Sequence, residues 1–440
     1  MSVPDPEFLE RIRRQFDHCP YPNIPVEKSY ANQPDTLYVH SLITAFYRCH
    51  GKVIDTDGKL ILDAGCGTGL KALALAQANP GARVVGVDIS SESVGFAQKR
   101  LEYHGATNCE FHVLALEDLE QLGMTFDYIN CDEVLYLLDN QVAGLQAFKN
   151  VLKPEGILRV NLHSTYGRSN MLRSQRAFNR MGLMDSNPEE TEIAIVRDTF
   201  NAMHDHILLK QMIGWNEQDC PDESILANQL LVGDRGFSVP EMFNFLNASD
   251  LEFFSMVEWR KWDIYNLFKE PENLPVFWAM TLPEASEEDK LALVELFHSI
   301  NRLIDVWCGH PQSRPEPRPV SAWTDPDWQG ATVYLHPQLK TEPFREQLYH
   351  CIKILNPFEI SRFLPGLGLS TLVDATMAAA LFVPLLEQSQ TVLELVNRWQ
   401  TLHPVNPETL EPVPFDEAFV LVQAALRNLE AGTYILLDHS

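Results

Sequence analysis

Leu60-Ile61-Leu62-Asp63-Ala64-Gly65-Cys66-Gly67-Thr68-Gly69 is a short apolar run that closes on a carboxylate and a glycine-rich turn. A helical stretch beginning at Leu70 follows it. A turn of this kind between a buried strand and a helix lets backbone N–H groups approach a ligand closely at the positive helix end. A P-loop needs G-x-x-x-x-G-K-[ST], which is absent. A dinucleotide fold needs G-x-G-x-x-G, and Leu70 follows Gly69 where that pattern does not fit. The turn reads D-x-G-x-G-x-G instead. Asp63 in that pocket repels a pyrophosphate and suits a ligand carrying an ammonium and a sulfonium.

On either side of this turn, β-branched runs (Lys59–Leu62, Arg83–Val87, Glu110–Leu114, Phe126–Asn130, Ile157–Asn161) alternate with helical stretches (Leu70–Ala78, Ser91–His104, Gln141–Leu152). The alternation predicts a doubly wound α/β sheet, largely parallel. Asn79-Pro80-Gly81 stops the first helix, Gly105 stands at a C′ position, and Pro154-Glu155-Gly156 makes the turn before the fifth strand. Residues 165–236 read as a helical insertion. The capping box Ser238-x-x-Glu241 starts a helix to about Asn247, and Leu251–Trp259 follows as a strand, so the sheet resumes there. Residues 262–309 read as helical.

Five units are expected: an N-terminal helical cap (1–51, with a second helix over Leu37–Cys49), the core (52–164), the insertion with the returning helix and strand (165–309), a linker (310–330) and a C-terminal mainly helical unit (331–440). The linker holds Pro311, Pro315, Pro317, Pro319 and Pro326, a density typical of an extended spacer. Gly432–Leu437 is a final strand candidate.

Composition bounds the chemistry. Lys+Arg 34 against Asp+Glu 60 gives a formal charge of −26 over 440 residues, which disfavours nucleic acid as the main partner. The eight cysteines (Cys19, Cys49, Cys66, Cys109, Cys131, Cys220, Cys308, Cys351) form no C-x-x-C pair, which argues against zinc and for a reducing compartment. MSVPDPEFLERIRR has no apolar signal region, and Thr371–Leu386 carries Asp374 and Pro384 and is too short for a bilayer. A cytoplasmic, membrane-free, multidomain protein is expected.

D-x-G-x-G-x-G at Asp63–Gly69, Asp88 after Val84-Val85-Gly86-Val87, the strand Phe126-Asp127-Tyr128-Ile129 and Leu152-Lys153-Pro154-Glu155-Gly156 together resemble the class I S-adenosylmethionine-dependent methyltransferases. The resemblance implies a Rossmann-like seven-stranded sheet and S-adenosylmethionine as cofactor. By it, Asp63, Gly65, Cys66, Gly67 and Gly69 form the loop around the methionine end. Asp88, 23 residues after Gly65, receives the ribose hydroxyls, and Ile89 lies against the adenine. Ala115 stands where many members have an aspartate, so Glu117 or the backbone N–H of Leu116 takes the adenine edge, and Cys131 flanks the pocket. A second resemblance, carried by Pro20-Tyr21-Pro22, His163–Gly167 and the segment around Ile225–Trp259, is to bacterial methyltransferases with a regulatory domain and a C-terminal winged-helix-like unit. That group includes protein-lysine methyltransferases. Gly167–Asn170 departs from its usual proline, glycine and tryptophan, so architecture transfers and substrate does not.

The resemblance implies methyl transfer to an N or O nucleophile, the acceptor being a protein side chain or a small molecule. A cofactor-binding sensor or scaffold without catalysis is the rival reading. Methyl transfer is an in-line displacement needing alignment, desolvation and removal of an acceptor proton. Asp132 and Glu133 after the fourth strand are the first candidate bases, and His163 is the reserve. Alternatively the two acids start a helix and His163 is a core residue. Tyr21 is either a lid over the cofactor or packing. Arg173, Arg176 and Arg180 share one helix face, which suits an acidic acceptor or plain solvation. No His/Asp/Glu spacing indicates a metal.

Overall fold

The computed structural model describes residues 6–18, 20–216, 220–311, 318–367 and 370–439. Cys19, Pro315, Pro317 and residues 1–5 lie outside them. The chain divides into two compact units. The first comprises residues 1–29, 58–76 and 81–313, the second residues 30–57, 77–80 and 314–440.

The first unit is built on a seven-stranded sheet: β1 (Leu60–Ala64), β2 (Arg83–Asp88), β3 (Cys109–Val113), β4 (Phe126–Cys131), β5 (Leu152–His163), β6 (Glu252–Met256) and β7 (Leu303–Gly309). The order is β3-β2-β1-β4-β5-β7-β6. Strands β1 to β5 pair in parallel, while β7 runs antiparallel between β5 and β6. Val84, Val85, Val87, Tyr128, Ile129 and Cys131 are fully buried, as expected of strands covered on both faces. The expected doubly wound α/β class holds, with the helices Leu70–Ala78, Ser91–Tyr103 and Gln141–Val151 between strands. The capping box at Ser238 and Glu241 opens the helix Val239–Ala248.

Three details differ from the sequence reading. Residues 262–309 are not wholly helical, because Leu303–Gly309 is a strand that enters the sheet out of chain order. Leu152-Lys153-Pro154-Glu155-Gly156 is not a turn ahead of β5 but lies within it. There Phe126 pairs with Leu152 and Tyr128 with Ile157, so the proline and glycine occupy an irregularity that the ladder tolerates. The strand expected over Leu251–Trp259 ends at Met256, where the chain turns into a short 3-10 helix, Trp259–Trp262.

Between β5 and β6 the expected helical insertion is present as Ser169–Arg180, Glu190–Ala202, Leu208–Met212 and Asp222–Asn228. Phe178, Ile193, Val196, Phe200, Ile225 and Leu230 give it a small core of its own.

The second unit joins the helices Glu342–Ile354, Ala375–Glu387, Val392–Leu402 and Phe415–Ala431 to a three-stranded antiparallel sheet of Gln390–Thr391, Thr332–Leu335 and Ile435–Asp438. It does not begin at residue 331. The helix expected over Leu37–Cys49 is broken at Ser41 into Pro34–Val39 and Leu42–His50, and both belong here and not to an N-terminal cap. Thr44 Oγ1 lies 3.0 Å from His336 Nε2, and Tyr47 donates to Glu430 while accepting from the Leu437 N–H. The proline-rich stretch is not extended throughout either. Asp325–Gly330 is a helix capped by Thr324 and Asp327, and it buries Trp328 completely. No helix among the described residues is long and apolar enough to cross a membrane.

Candidate functional site

All five parallel strands of the first unit end on one rim, where ligands of open α/β sheets gather. Gly65, Gly67 and Gly69 take left-handed backbone angles, φ 77°, 49° and 78°. At Gly65 a Cβ would strike Val134, and at Gly67 it would strike the carbonyl of Tyr21. The turn therefore tolerates no side chain at either place. The Gly65 and Cys66 N–H groups donate to the carbonyl of Val87, which ties the turn to β2.

The Pro20–Pro25 elbow lies against this turn. Thr68 donates from its backbone N–H to Tyr21 O and from its hydroxyl to Pro22 O, at 3.2 and 2.8 Å. Arg100, buried in the helix Ser91–Tyr103, donates to Thr68 O, Pro25 O and Ile24 O at 2.9, 2.8 and 2.7 Å. One guanidinium thus clamps the elbow to the glycine turn. The Tyr21 ring remains partly exposed. Burial and the Glu133 charge push its hydroxyl above the ordinary tyrosine value, and the Arg302, Lys71 and Arg168 charges work against them.

Asp63, at the end of β1, is almost wholly buried. Asn130 donates to its Oδ1 at 2.8 Å, and its Oδ2 has no hydrogen-bond partner. Burial pushes its carboxyl up to about 7, against the Asn130 hydrogen bond and with help from the Asp132 charge. Asp88, ending β2, accepts the Gly67 N–H and the Ser90 N–H at 2.9 Å each. Burial raises its carboxyl too, opposed by those bonds. Both oxygens keep lone-pair capacity for a further donor. Ile89 is half-buried beside it. Leu116 is buried and opens the short 3-10 helix after β3, while the Glu117 side chain is exposed. Cys66 and Cys131 are buried, and burial pushes both thiols well up.

Along the sheet a polar stripe continues from Asp63 through Asn130 to Asp132, Arg159 and Asn161. Asp132 sits 2.7 Å from Lys71 Nζ and 3.7 Å from Arg159, and Asn161 donates to it. Arg159 also pairs with Asp305 of β7 at 2.7 Å. Glu133 has a left-handed backbone, φ 64°, its N–H held by Asn161 and its carboxylate by Arg302.

His163 closes β5. Its Nδ1 lies 2.7 Å from Asp234 Oδ1, and its ring stacks on Tyr136 with centroids 3.6 Å apart. Its Nε2 is buried with no hydrogen-bond partner. Asp234 also receives Arg168 at 3.3 Å and Gln175 at 2.8 Å. Burial depresses the imidazole despite Asp234. For Asp234 burial opposes the charge, but His163 and Arg168 outweigh it and hold the carboxylate below its usual range.

The structure thus gathers Asp63, the glycine turn, Asp88, Asp132, Glu133 and His163 on one rim. Lys71, Arg100, Tyr136, Arg159, Arg168, Asp234 and Arg302 are not among the sequence candidates, because the residues they meet lie far away in the chain. Arg173, Arg176 and Arg180 are exposed on the helix Ser169–Arg180. Among the described residues no group of three His, Cys, Asp or Glu is placed to hold a metal.

Residues 55–222 match the family model described as a methyltransferase domain. An uncharacterised protein of Synechococcus sp. is 25% identical over 329 residues, 74% of this chain and 76% of that protein. A ubiquinone biosynthesis O-methyltransferase of Actinobacillus pleuropneumoniae is 36% identical over 106 residues, 23% of this chain and 44% of that enzyme. The chain therefore spans under half the length of that curated relative. Among solved structures, PKMT2 from Rickettsia typhi superposes with a TM-score of 0.58 at 15% identity, covering 95% of this chain and 77% of that one. That likeness is one of fold. The strand order, the glycine turn between its two rim carboxylates and the match over residues 55–222 place in this chain a methyltransferase domain of the class I S-adenosylmethionine-dependent type.

Proposed function

We propose that the chain transfers a methyl group from S-adenosylmethionine to an N or O nucleophile, with a protein side chain as acceptor. The observation that carries the cofactor assignment is the buried, unpartnered Oδ2 of Asp63 beside three left-handed glycines. A buried acceptor without a donor is costly. The ammonium of the cofactor's methionine part satisfies it, whereas a pyrophosphate would be repelled. Gly65, Cys66, Gly67 and Gly69 frame that end through their backbone. Asp88 takes the ribose hydroxyls on its remaining lone pairs, and Ile89, Leu116 and Glu117 border the adenine. Cys131 packs behind the pocket. Bound there, the sulfonium supplies an activated methyl group whose leaving group is a neutral thioether. The chain's own tasks are then to align the acceptor, exclude water and remove a proton.

The fold shared with PKMT2 and the resemblance to the protein-lysine methyltransferase group support a protein acceptor. A small-molecule acceptor is the second reading, supported by the O-methyltransferase likeness over the core. Incubating the protein with methyl-labelled S-adenosylmethionine and fractionated cell extract separates the two, since label enters either the protein or the small-molecule fraction. By calorimetry S-adenosylmethionine should bind and NAD should not, and Asp88→Ala should weaken binding by about 1.5–3 kcal/mol. Tight NAD binding, or an Asp88→Ala variant equal to wild type, would sink the assignment.

A further inference from the structure

We propose that the exposed apolar surface around the helix Val276–Thr281 docks a cationic, amphipathic segment of the acceptor protein beside the rim. This rests on the protein-acceptor reading above and gives that acceptor a chemistry. Val276, Phe277 and Met280 are 76%, 73% and 72% exposed. They stand at i, i+1 and i+4 of a helix in which Trp278 alone is half-buried. Trp278 packs against Phe268 and Phe297, with ring centroids 5.2 and 6.0 Å apart. Leu296 and Phe297 end the helix Glu287–Phe297 and Ile300 follows it, each more than half exposed. The Trp278–Phe297 contact joins these six large apolar side chains into one patch. A contiguous exposed patch of this kind marks an interaction surface.

The patch is tied to the rim. Two residues after Ile300, Arg302 holds Glu133, and its carbonyl accepts the Ser164 N–H at 2.9 Å directly after β5. The Asn301 carbonyl packs so closely on Gly167 that a Cβ there would overlap it. A segment lying over Ile300 therefore borders the place where methyl transfer occurs.

Charge decides between the possible occupants. Residues 270–298 hold Glu270, Glu272, Glu284, Glu287, Glu288, Asp289 and Glu295 against Lys290 alone. Of these acids only Glu295 is buried, and the others have no ion-pair partner among the described residues. An apolar face flanked by unmatched carboxylates suits a partner that carries apolar and lysine or arginine side chains together. A second copy would bring the same carboxylates face to face, since a two-fold contact sets a patch against itself. An anionic bilayer would be repelled by them.

The test measures, by fluorescence anisotropy, binding of a fluorescent synthetic helix of leucine and lysine at amphipathic spacing to the full chain. Binding should weaken as salt rises. The double variant Phe277→Gln, Met280→Gln should weaken it by about tenfold or more, as expected when two anchoring side chains are lost. Glu284→Gln with Glu287→Gln should weaken it by about threefold and flatten the salt dependence. Both variants should keep the wild-type affinity for S-adenosylmethionine by calorimetry, which also reports that they fold. With methyl-labelled S-adenosylmethionine and the protein fraction of cell extract, the apolar variant should need about tenfold more acceptor for half-maximal transfer, with the maximal rate retained. No binding of the leucine–lysine helix, equal binding of a leucine–glutamate helix, or unchanged binding by the apolar variant overturns the proposal. So does a dimer, by sedimentation, or attachment to phosphatidylglycerol vesicles that the apolar variant abolishes. Those outcomes leave the methyltransferase reading intact. Label entering only small molecules overturns the acceptor role of the docked segment. A wild-type chain that neither binds S-adenosylmethionine nor transfers label overturns the methyltransferase reading and that role together.

Discussion

Arg100 reaches the carbonyl of Ile24 at 2.7 Å across 76 positions of sequence, and the same guanidinium holds Thr68 beside the third glycine. The link makes the N-terminal elbow part of the cofactor turn. Arg100→Met removes the donor to the carbonyls of Thr68, Pro25 and Ile24. It should lower stability by about 2–4 kcal/mol and expose residues 20–26 to proteolysis. Urea melts and limited digestion with proteinase K, a protease of broad specificity, each with and without S-adenosylmethionine, check this. Unchanged elbow cleavage would mean that the clamp has no role.

Asp63 makes cofactor affinity depend on pH. Its carboxyl titrates at about 7, so much of the ligand-free protein is protonated below that value. An ammonium ligand favours the ionised form, so affinity rises with pH through about 7 and then levels. Calorimetry in buffers of different ionisation enthalpy should detect proton release on the acid side, absent in Asp63→Asn. Stability runs the other way. The ordinary value is 3.8 and the folded value is higher, so the contribution is complete below 3.8 and is lost as pH climbs to about 7.

Glu133 is held at φ 64°, a conformation that costs a side-chain-bearing residue about 1 kcal/mol. Glu133→Gly should keep or raise the unfolding midpoint, since the strain relieved offsets the partly exposed pair with Arg302. Methyl transfer should fall with cofactor affinity unchanged. Full activity in the glycine variant would show that the strained carboxylate serves no step.

Removing everything after residue 311 should not yield a well-behaved cofactor domain. Leu42, Ala45, Phe46 and Tyr47 belong to the second unit and are buried there. The truncated chain would present that helix to water and should aggregate or bind hydrophobic dyes. A soluble, monomeric product with native cofactor affinity would contradict the discontinuous unit.

Chelation should leave turnover unchanged, because the thioether leaves as a neutral group without a Lewis acid. Activity lost in EDTA and restored by Mg²⁺ would overturn this.

Sequence alone was a good guide where local chemistry dictated structure. The strands β1 to β5 and their helices are legible because glycine and proline punctuate them and buried apolar runs need no tertiary information. Asp63 and Asp88 are legible because they stand at fixed distances from the glycines. Leu303–Gly309 is not: Asp305 interrupts its apolar run, and its strand neighbours lie more than 40 residues away or beyond it in the sheet order. Arg302 is hidden for the same reason, meeting Glu133 across 169 positions. Asp234 lies 71 positions from His163 in a loop without a motif. Such pairings arise from topology, which carries no local signal.

The discontinuous second unit also sets a timetable. Its first helices, Pro34–Val39 and Leu42–His50, leave the ribosome before the whole first unit has been made, yet apart from residues 77–80 the rest of their unit begins only at residue 314. At typical synthesis rates of about 5–20 residues per second, the apolar face of Leu42–His50 waits on the order of ten to fifty seconds for its core. The first unit can close its parallel sheet during that interval, while the early helix depends on delayed, long-range pairing. A nascent chain stalled near residue 310 is therefore the form of this protein on which a chaperone has the most surface to hold.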